Sequence, residues 1–467
     1  MSSLFYRFRK TQSVFDFQEL ENEEIYFASK EELNDPMEGY KNLIFNGDEI
    51  VWINIFRHYL RCLDAMWFNY LIDGEQDSED FSSNSIPIFI KVNEFPTDIY
   101  KELFEDIWND VFNIYGIVIK KIVTRTTPIT REELFKYMST FNIVSISIIN
   151  KHYELKSLMP KKNEFNNDYS HLIESIIKSI DAIEENIKIN GYDKLGLILD
   201  QTIFQSNETF FIKLMANEKN KIKSRKLYLL NFTKPYLKAI EKLTYPEVYT
   251  ASFTGEEAIN NSSVWGHYGD SHKGICLIFE TDSEKKSLNF LNAKTGWSSS
   301  KGITRGKVSL KFEKIKYEKD YPEIDFFRSL GSLPQGQITS DWYSNDKGMS
   351  TIYDEIFNNQ GSWREAYWNK FSTNNLIKMK DWEYEKEYRV ILNSGMDSQI
   401  DKEYRLLKYS FNSLKGIIFG INTAEKDKLK IIDIINKKCS QYERKNFTFY
   451  QAYHCNFRKN IQFTEIK

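Results

Sequence analysis

Four charged residues at alternating positions form the part of the chain best suited to chemistry. They are Glu383, Glu385, Glu387 and Arg389, and an apolar segment follows them directly. On an extended backbone successive side chains face opposite ways, so the spacing predicts that all four share one face of a strand. Carboxylates this close repel one another, and each is costly to bury unless it is paired. The segment is therefore either a solvated, ion-paired strand entrance or part of a site, for example a nuclease site in which carboxylates bind Mg²⁺.

A second group of polar residues lies around two predicted strands in the middle of the chain. Ser252 and Thr254 fall on one face of the strand predicted at residues 248–254, and Phe253 faces the other way. The segment before the next strand contains Trp265, His267, Tyr268 and His272. Such a segment either lines a ligand site or caps the core with buried rings whose polar tips are hydrogen-bonded. Because the two histidines have no third ligand at metal spacing, we predict no metal site.

Two further patterns lie near the start of the chain. Arg7 stands among aromatic residues of a predicted strand, where a guanidinium either pairs bidentately with a phosphate or carboxylate or lies at the surface. Residues 34–38, Asn-Asp-Pro-Met-Glu, are typical of a turn, because Pro stops a helix and Asn and Asp side chains accept bonds from nearby N–H groups. We interpret this second pattern as structural.

β-strands at both ends of the chain must position these groups. Between residues 48 and 242, apolar residues instead recur at three- and four-residue spacing, which is typical of amphipathic helices. We therefore predict an α+β fold in which a mixed or antiparallel β core is interrupted by a large helical insertion and a second, smaller one. The predicted parts are residues 1–47 for the first part of the core, 48–244 for the helical insertion or domain, and 245–467 for the rest of the core, with the smaller insertion near 318–375.

The composition limits the class of protein. The 467 residues include 63 basic and 66 acidic side chains, so the net charge of −3 indicates no global attraction to nucleic acid or membrane, although a local patch is compatible with it. The four cysteines show no CxxC spacing, which argues against a disulfide framework and a zinc site. We see no signal-peptide pattern and no apolar run of about 20 residues. We expect a cytoplasmic protein, and the many Lys, Asn, Ile and Phe residues indicate an AT-rich bacterial genome.

Taken in order, these patterns resemble an uncharacterised bacterial family, domain of unknown function 2971. Its members share a strand with a basic residue between aromatic ones, a Tyr-Phe-x-Ser…Asn-Asp-Pro-x-Glu block, a Ser-Phe-Ser/Thr…Trp-x-x-Tyr-x-x-x-His-x-Gly block, and a Trp-x-x-Glu-x-Glu-x-Arg block. In this chain the corresponding segments are residues 5–8, 26–29, 34–38, 252–254, 265–274 and 382–389. The resemblance covers both ends of the chain, omits the helical middle, and implies no particular activity.

A second resemblance bears on mechanism. ADP-ribosyltransferases of the Arg–Ser–Glu type carry an arginine on an early strand, a Ser-x-Ser/Thr strand and a later Glu-x-Glu. Arg7, Ser252 with Thr254, and Glu385 with Glu387 follow in that order here. The resemblance implies that NAD is the substrate and that Glu387 holds the ribose hydroxyls and stabilises oxocarbenium charge. It also implies that Glu385 orients or deprotonates the acceptor, that Arg7 anchors the phosphates, and that the two hydroxyl residues brace the pocket.

The resulting hypothesis is an ADP-ribosyltransferase-like, NAD-using bacterial effector or toxin-like protein in phage defence. Trp265, His267 or Tyr268 would stack on nicotinamide or adenine. Arg9 and Arg389 are alternative phosphate anchors. The acceptor is an unknown protein or nucleic acid, and no membrane partner is expected.

Two other functions remain open from the sequence. One is a Mg²⁺-dependent nuclease, in which Asp35 would join the three glutamates and Lys380 would assist. The other is a non-catalytic protein that binds a partner through the helical insertion. A basic strand face would suit a nucleic-acid target, and the residues that would form it are Lys301, Arg305, Lys307, Lys311, Lys314 and Lys316.

Overall fold

The structure of the chain is a computed structural model. It describes residues 3–35, 37–73, 83–160, 168–192, 225–281, 286–300, 302–358, 360–394 and 401–466, with isolated positions between 193 and 224. These residues form two compact units. The first consists of Met1–Tyr40, Pro246–Tyr321 and Lys370–Lys467, and the second consists of Lys41–Tyr245 and Pro322–Asn369. Within the described part of the chain, no helix combines the length and apolar character needed to cross a membrane.

The described residues contain eighteen β-strands. In chain order they are β1 (Ser3–Arg9), β2 (Glu24–Tyr26), β3 (Asn42–Phe45), β4 (Ile129–Thr130), β5 (Val248–Thr254), β6 (Ile275–Thr281), β7 (Ser287–Ser298), β8 (Gly302–Lys314), β9 (Lys316–Glu318), β10 (Glu323–Asp325), β11 (Ser344–Asn345), β12 (Gly348–Met349), β13 (Ile377–Met379), β14 (Glu387–Asn393), β15 (Leu406–Lys408), β16 (Leu414–Phe419), β17 (Thr448–Cys455) and β18 (Asn460–Ile466).

Helices occupy most of the rest of the described chain. The α-helices are Thr11–Asp16, Glu19–Asn22, Glu49–Asp73, Asp98–Val123, Arg131–Leu155, Ser170–Asn190, Arg225–Leu230, Thr233–Ala239, Ser262–Tyr268, Gln335–Gln337, Thr351–Phe357, Gln360–Asn374 and Glu425–Gln441. The predicted α+β class is confirmed.

A nine-stranded mixed sheet forms the framework of the first unit. Its strand order is β18-β17-β16-β6-β1-β5-β14-β8-β7. All neighbours are antiparallel except β16 and β17, which run parallel. Three strands that are far apart in sequence, β1, β5 and β14, are therefore consecutive in the sheet.

Apolar residues cover both faces of this sheet. Phe5, Phe253 and Val390 belong to a large aromatic and aliphatic cluster on one face. Tyr6 and Trp265 belong to a smaller cluster on the other face. Neighbouring residues on β1 thus contribute to opposite cores, as the alternation of side chains along a strand requires.

The contact between β1 and β5 is short. The two strands pair at Tyr6 and Thr254, whereas Thr250, towards the start of β5, exchanges two backbone hydrogen bonds of 2.9 Å with Ala28. Because β5 pairs with Ala28 at Thr250, it has separated from β1 at that point. This separation opens a gap beside the polar residues of β5.

The predicted strand at residues 383–389 is only partly correct. Lys380–Glu385 is a 3₁₀ helix, and β14 begins at Glu387. Lys386 between them has φ of 48°, in the left-handed region that commonly ends a helix. Glu383 and Glu385 therefore do not lie on the strand, although Glu385 still reaches the side chains next to Glu387.

The second unit is mainly helical. Its helices Glu49–Asp73, Asp98–Val123 and Arg131–Leu155 pack against one another and bury aromatic and branched side chains. Arg131–Leu155 begins with a capping box, in which Thr130 accepts from the N–H of Glu133 and the Glu133 carboxylate accepts from the N–H of Thr130.

Candidate functional site

The buried side chain of Lys378 contacts three acidic residues of the first unit. The ammonium of Lys378 lies 2.8 Å from Glu385 Oε2 and 3.1 Å from Glu387 Oε2, and 3.7 Å from Glu38 Oε2. All four side chains are buried. Lys378 on β13 therefore brings one cation to carboxylates that reach the site from three different segments.

Arg389 supplies the second cation of this group. Its Nε lies 2.9 Å from Glu387 Oε1, and a second guanidinium nitrogen contacts Glu38. A third N–H donates to the carbonyl oxygen of Asn375 at 3.1 Å. Glu387 is thus held between Lys378 and Arg389. We call Glu38, Lys378, Glu385, Glu387 and Arg389 the charge cluster.

Burial and charge act in opposite directions on these groups. Burial alone would lower the pKa of the Lys378 ammonium, but the carboxylates of Glu387 and Glu385 together raise it above its ordinary value. Burial raises the pKa of the Glu387 carboxyl, and Glu385 adds to this shift, while Lys378 and Ser252 oppose it. Lys378 therefore stays charged at neutral pH and favours ionisation of Glu387.

Tyr268 connects the helix Ser262–Tyr268 to the charge cluster. Its hydroxyl donates to Glu385 Oε1 and accepts from the side-chain N–H of Asn34 at 3.1 Å. Burial, together with the negative charge of Glu385, raises the pKa of Tyr268, although Lys378 opposes the shift. The phenol is therefore a proton donor at neutral pH and fixes the orientation of Glu385.

Aromatic side chains cover the other side of the cluster. The Lys378 ammonium lies 4.9 Å from the ring centroid of Trp382, at cation–π distance. The exposed His267 hydrogen-bonds Tyr384 through Nδ1 at 3.0 Å, and its ring centroid lies 5.6 Å from that of Trp382. These rings limit access of water to the lysine from that side.

The charge cluster borders a cavity of about 630 Å³ within the first unit. Seven of the eight residues predicted for the site line it: Arg7, Ser252, Thr254, His267, Tyr268, Glu385 and Glu387. The cavity also contacts Glu38 and Lys378. A volume of this size is within the range of small-molecule sites, which extends from about 300 to 1,000 Å³.

Arg7 lies where β1 and β5 separate. Its guanidinium donates to the carbonyl oxygens of Ser252 at 3.1 Å and Tyr26 at 3.4 Å. The two alternative arginines are already paired, Arg9 with Glu19 and Arg389 with two glutamates. Arg7 makes no ion pair with any described residue, so N–H groups that are not bound to the two carbonyls remain for an anion in the cavity.

The structure places Trp265 in the core and not at the cavity. Its ring has no exposed surface, belongs to the smaller core cluster and contacts Phe8 edge to face. The indole N–H donates to the carbonyl oxygen of Ile259 at 2.8 Å. The residue therefore supports the helix that carries His267 and Tyr268, and it does not line the cavity.

Sequence reasoning missed two members of the charge cluster. The sequence indicates a turn at Glu38, and no local pattern marks Lys378 as a site residue. The turn itself is present, since Asp35 Oδ1 accepts from the N–H of Met37 at 2.9 Å. The other oxygen of Asp35 is buried without a hydrogen-bond partner among the described residues. Asp35 and Glu38 are therefore buried because they adjoin the charge cluster and the cavity as well as because of the turn conformation.

The carboxylates of the cluster have cations and hydroxyls as partners. Glu383, named in the nuclease hypothesis, is instead exposed and pairs with Lys386 at 3.1 Å. Among the described residues, no group of three or more His, Cys, Asp or Glu side chains is arranged to hold a metal ion.

Residues 264–390 match the model of a family described as "Protein of unknown function (DUF2971)". The match confirms the resemblance to this family over that part of the chain, which includes Tyr268, Lys378, Glu385, Glu387 and Arg389. No curated protein and no solved structure matches the chain.

Proposed function

We propose that the protein binds NAD in the cavity, cleaves the bond between nicotinamide and ribose, and transfers ADP-ribose to an acceptor. One observation carries the proposal. Arg7, Ser252 with Thr254, and Glu387 lie on the consecutive strands β1, β5 and β14 and line the same cavity. An anion-binding group and a buried carboxylate are thereby available to one ligand.

The charges of the cavity suit the two ends of NAD. Arg7 has no carboxylate partner among the described residues and would bind the pyrophosphate. The charge cluster has three carboxylates and two cations, so its remaining negative charge favours the pyridinium and the positive charge that develops on the ribose. Glu387 would accept hydrogen bonds from the ribose hydroxyls.

The reaction balances without an oxidant or a metal. The C1′–N bond breaks and its electron pair neutralises the pyridinium, so nicotinamide leaves as a neutral molecule. The acceptor atom, or water, forms the new bond to C1′ and loses a proton. Glu385 is the carboxylate that would receive this proton, and Tyr268 and Lys378 fix its position. Such NAD consumption fits the effector or toxin-like role expected for a cytoplasmic bacterial protein.

The test is release of nicotinamide from NAD, measured by chromatography, with and without cell extract as a source of acceptors. We expect release by the wild-type chain, and a loss of roughly 100-fold or more in Glu387→Gln, the range for removal of a group that acts in the transition state. Glu383→Gln is the matched control, because this exposed acid lies four residues earlier and pairs only with Lys386 among the described residues.

Two results would overturn the proposal. One is the absence of nicotinamide release and of label transfer from NAD by the folded wild-type chain under both conditions. The other is equal activity of Glu387→Gln and Glu383→Gln. Circular dichroism and urea unfolding establish that each variant is folded before its activity is compared.

A further inference from the structure

The two strands at one edge of the nine-stranded sheet form a long ribbon. β7 and β8 pair in antiparallel register from Ser287 opposite Lys311 to Ser298 opposite Gly302. Among the described residues, β14 pairs with β8 only through residues 312–314. Most of β8 therefore extends past β14 with β7 as its partner.

One face of this ribbon continues the face that carries the candidate site. Arg389 on β14 lies opposite Glu313 on β8, and directly opposite residues of an antiparallel pair share a face. Alternation along β8 then places Lys311, Lys307 and Arg305 on that same face. All three are exposed, whereas Val308 and Phe312, on the other face, pack towards the larger core cluster.

This face is basic and has an aromatic residue at its tip. On β8 this face carries three basic residues, Arg305, Lys307 and Lys311, and one acidic residue, Glu313, in a chain whose net charge is −3. Lys307 and Lys311 make no ion pair within the described part of the chain. Trp297 lies opposite Ile303, which shares the face of Arg305, and it is 69% exposed. Lys301 lies outside the described residues, and Lys314 pairs with Glu257 at 3.3 Å.

We propose that this face, which we call the basic ribbon, binds single-stranded nucleic acid. Arg305, Lys307 and Lys311 would contact backbone phosphates over about 20 Å of strand, and Trp297 would stack on a base. Basic side chains combined with an exposed aromatic ring are the two groups that sequence-independent single-strand binding uses. The proposal does not depend on NAD chemistry.

An anionic membrane is the competing partner for a basic surface. Segments that lie in a membrane interface bury a continuous apolar face beside their basic residues. The apolar face of β8 is instead packed towards the core. Leu291 is the other large apolar residue exposed on the described ribbon besides the paired Trp297 and Ile303, so these residues form no continuous apolar face. The structure therefore favours nucleic acid, and the experiment includes vesicles as a separate arm.

Fluorescence anisotropy with labelled 20-nucleotide single-stranded DNA and RNA tests the proposal between 50 and 200 mM salt. We expect the full chain to bind, with affinity that falls as salt rises. Lys307→Glu combined with Lys311→Glu should weaken binding at least about tenfold and make the salt dependence shallower. Trp297→Ala should weaken binding about fivefold or more and leave the salt dependence unchanged, because stacking is not ionic.

The matched control is Lys426→Glu combined with Lys445→Glu, which changes the net charge equally at exposed positions outside the ribbon. Binding by this control should stay close to wild type. Equal weakening by both double variants would show a global charge effect and overturn the proposal, as would absence of binding at 50 mM salt. Binding to phosphatidylserine vesicles without binding to nucleic acid would assign the face to a membrane. If the Glu variants do not fold, Lys307→Gln with Lys311→Gln provides the same comparison.

Discussion

Replacing Lys378 by Met tests whether the charge cluster is held together by its buried ammonium. Met has a similar length and no charge, so the change removes the cation and keeps most of the apolar contacts. Glu385, Glu387 and Glu38 then remain buried with Arg389 as the only cation of the cluster. An uncompensated buried charge is costly, so we expect a large loss of stability in the first unit.

The distances give the magnitude of this loss. At an effective dielectric constant of about 20, unit charges about 3 Å apart attract by about 5–6 kcal/mol, and Lys378 makes two such contacts, at 2.8 and 3.1 Å. Burial of the ammonium offsets several kcal/mol of this attraction. The net loss on breaking a buried pair is about 3–5 kcal/mol, and we expect Lys378→Met to fall in that range at pH 8.

Urea unfolding provides the measurement, and Lys386→Met is the matched control. Lys386 pairs with Glu383 at 3.1 Å, a distance equal to one contact of Lys378, but the two side chains are 35% and 49% exposed. Solvent weakens such a pair to about 0–1 kcal/mol. If the two variants lose similar amounts of stability, the cluster does not depend on its buried ammonium and the reasoning fails.

The pH dependence separates charge from packing. Without Lys378, the pKa of Glu387, already raised by burial, rises further above its value in the unfolded chain. The folded variant then binds more protons than the unfolded one, so its stability increases as pH falls. The difference between wild type and Lys378→Met should therefore shrink from pH 8 to pH 5. A difference that is constant with pH would indicate a packing defect.

Two other substitutions test the support of the site. Trp265→Ala should destabilise the chain by about 3–5 kcal/mol, as for other buried aromatic residues, and a change in NAD binding without this loss would contradict its place in the core. Gly274→Ala should destabilise it by about 1–3 kcal/mol, because a Cβ there would clash with the carbonyl oxygen of Arg9. Gly266→Ala, in a helix with nothing within 4 Å of the new Cβ, should be neutral or stabilising by up to about 1 kcal/mol. Urea midpoints measure all three.

The strands that position the site are the part of the fold most accessible from sequence. Alternating or continuous apolar patterns predict β5, the strand that follows it (β6), and the apolar part of β14, and each is present. β18 is missing from the prediction, although residues 460–464 alternate polar and apolar side chains. Ile461 and Phe463 pack in the smaller core cluster, and the strand pairs with β17. Residues 380–385 also resisted prediction, because alternate charges fit an extended backbone as well as they fit the 3₁₀ helix observed.

The sequence singles out three of the five residues of the charge cluster, Glu385, Glu387 and Arg389, and there is a physical reason why it does not reveal the other two. Glu385 and Glu387 attract attention because neighbouring acids repel. Lys378 lies between Ile377 and Met379 in a short strand, where a lysine usually extends to solvent. Glu38 lies in a turn whose local hydrogen bonds already explain an acid. Glu38 is buried against Lys378 and Arg389, which lie far along the chain, and Lys378 is buried against Glu385 and Glu387 of the next helix and strand. No local sequence pattern reveals either pairing.

The free energy that it costs to bury the charge cluster is an argument that the cavity is functional. Its five side chains are only 2–7% exposed, beside sheet faces that are otherwise covered by aromatic and aliphatic residues. Buried ion pairs are often no more stable than apolar residues of similar volume, so the fold does not require them for stability. Departures from the rule that cores are apolar occur mainly at functional sites. The cluster borders a cavity that Arg7, Ser252 and Thr254 also line, which supports the proposal that its charges act on a ligand.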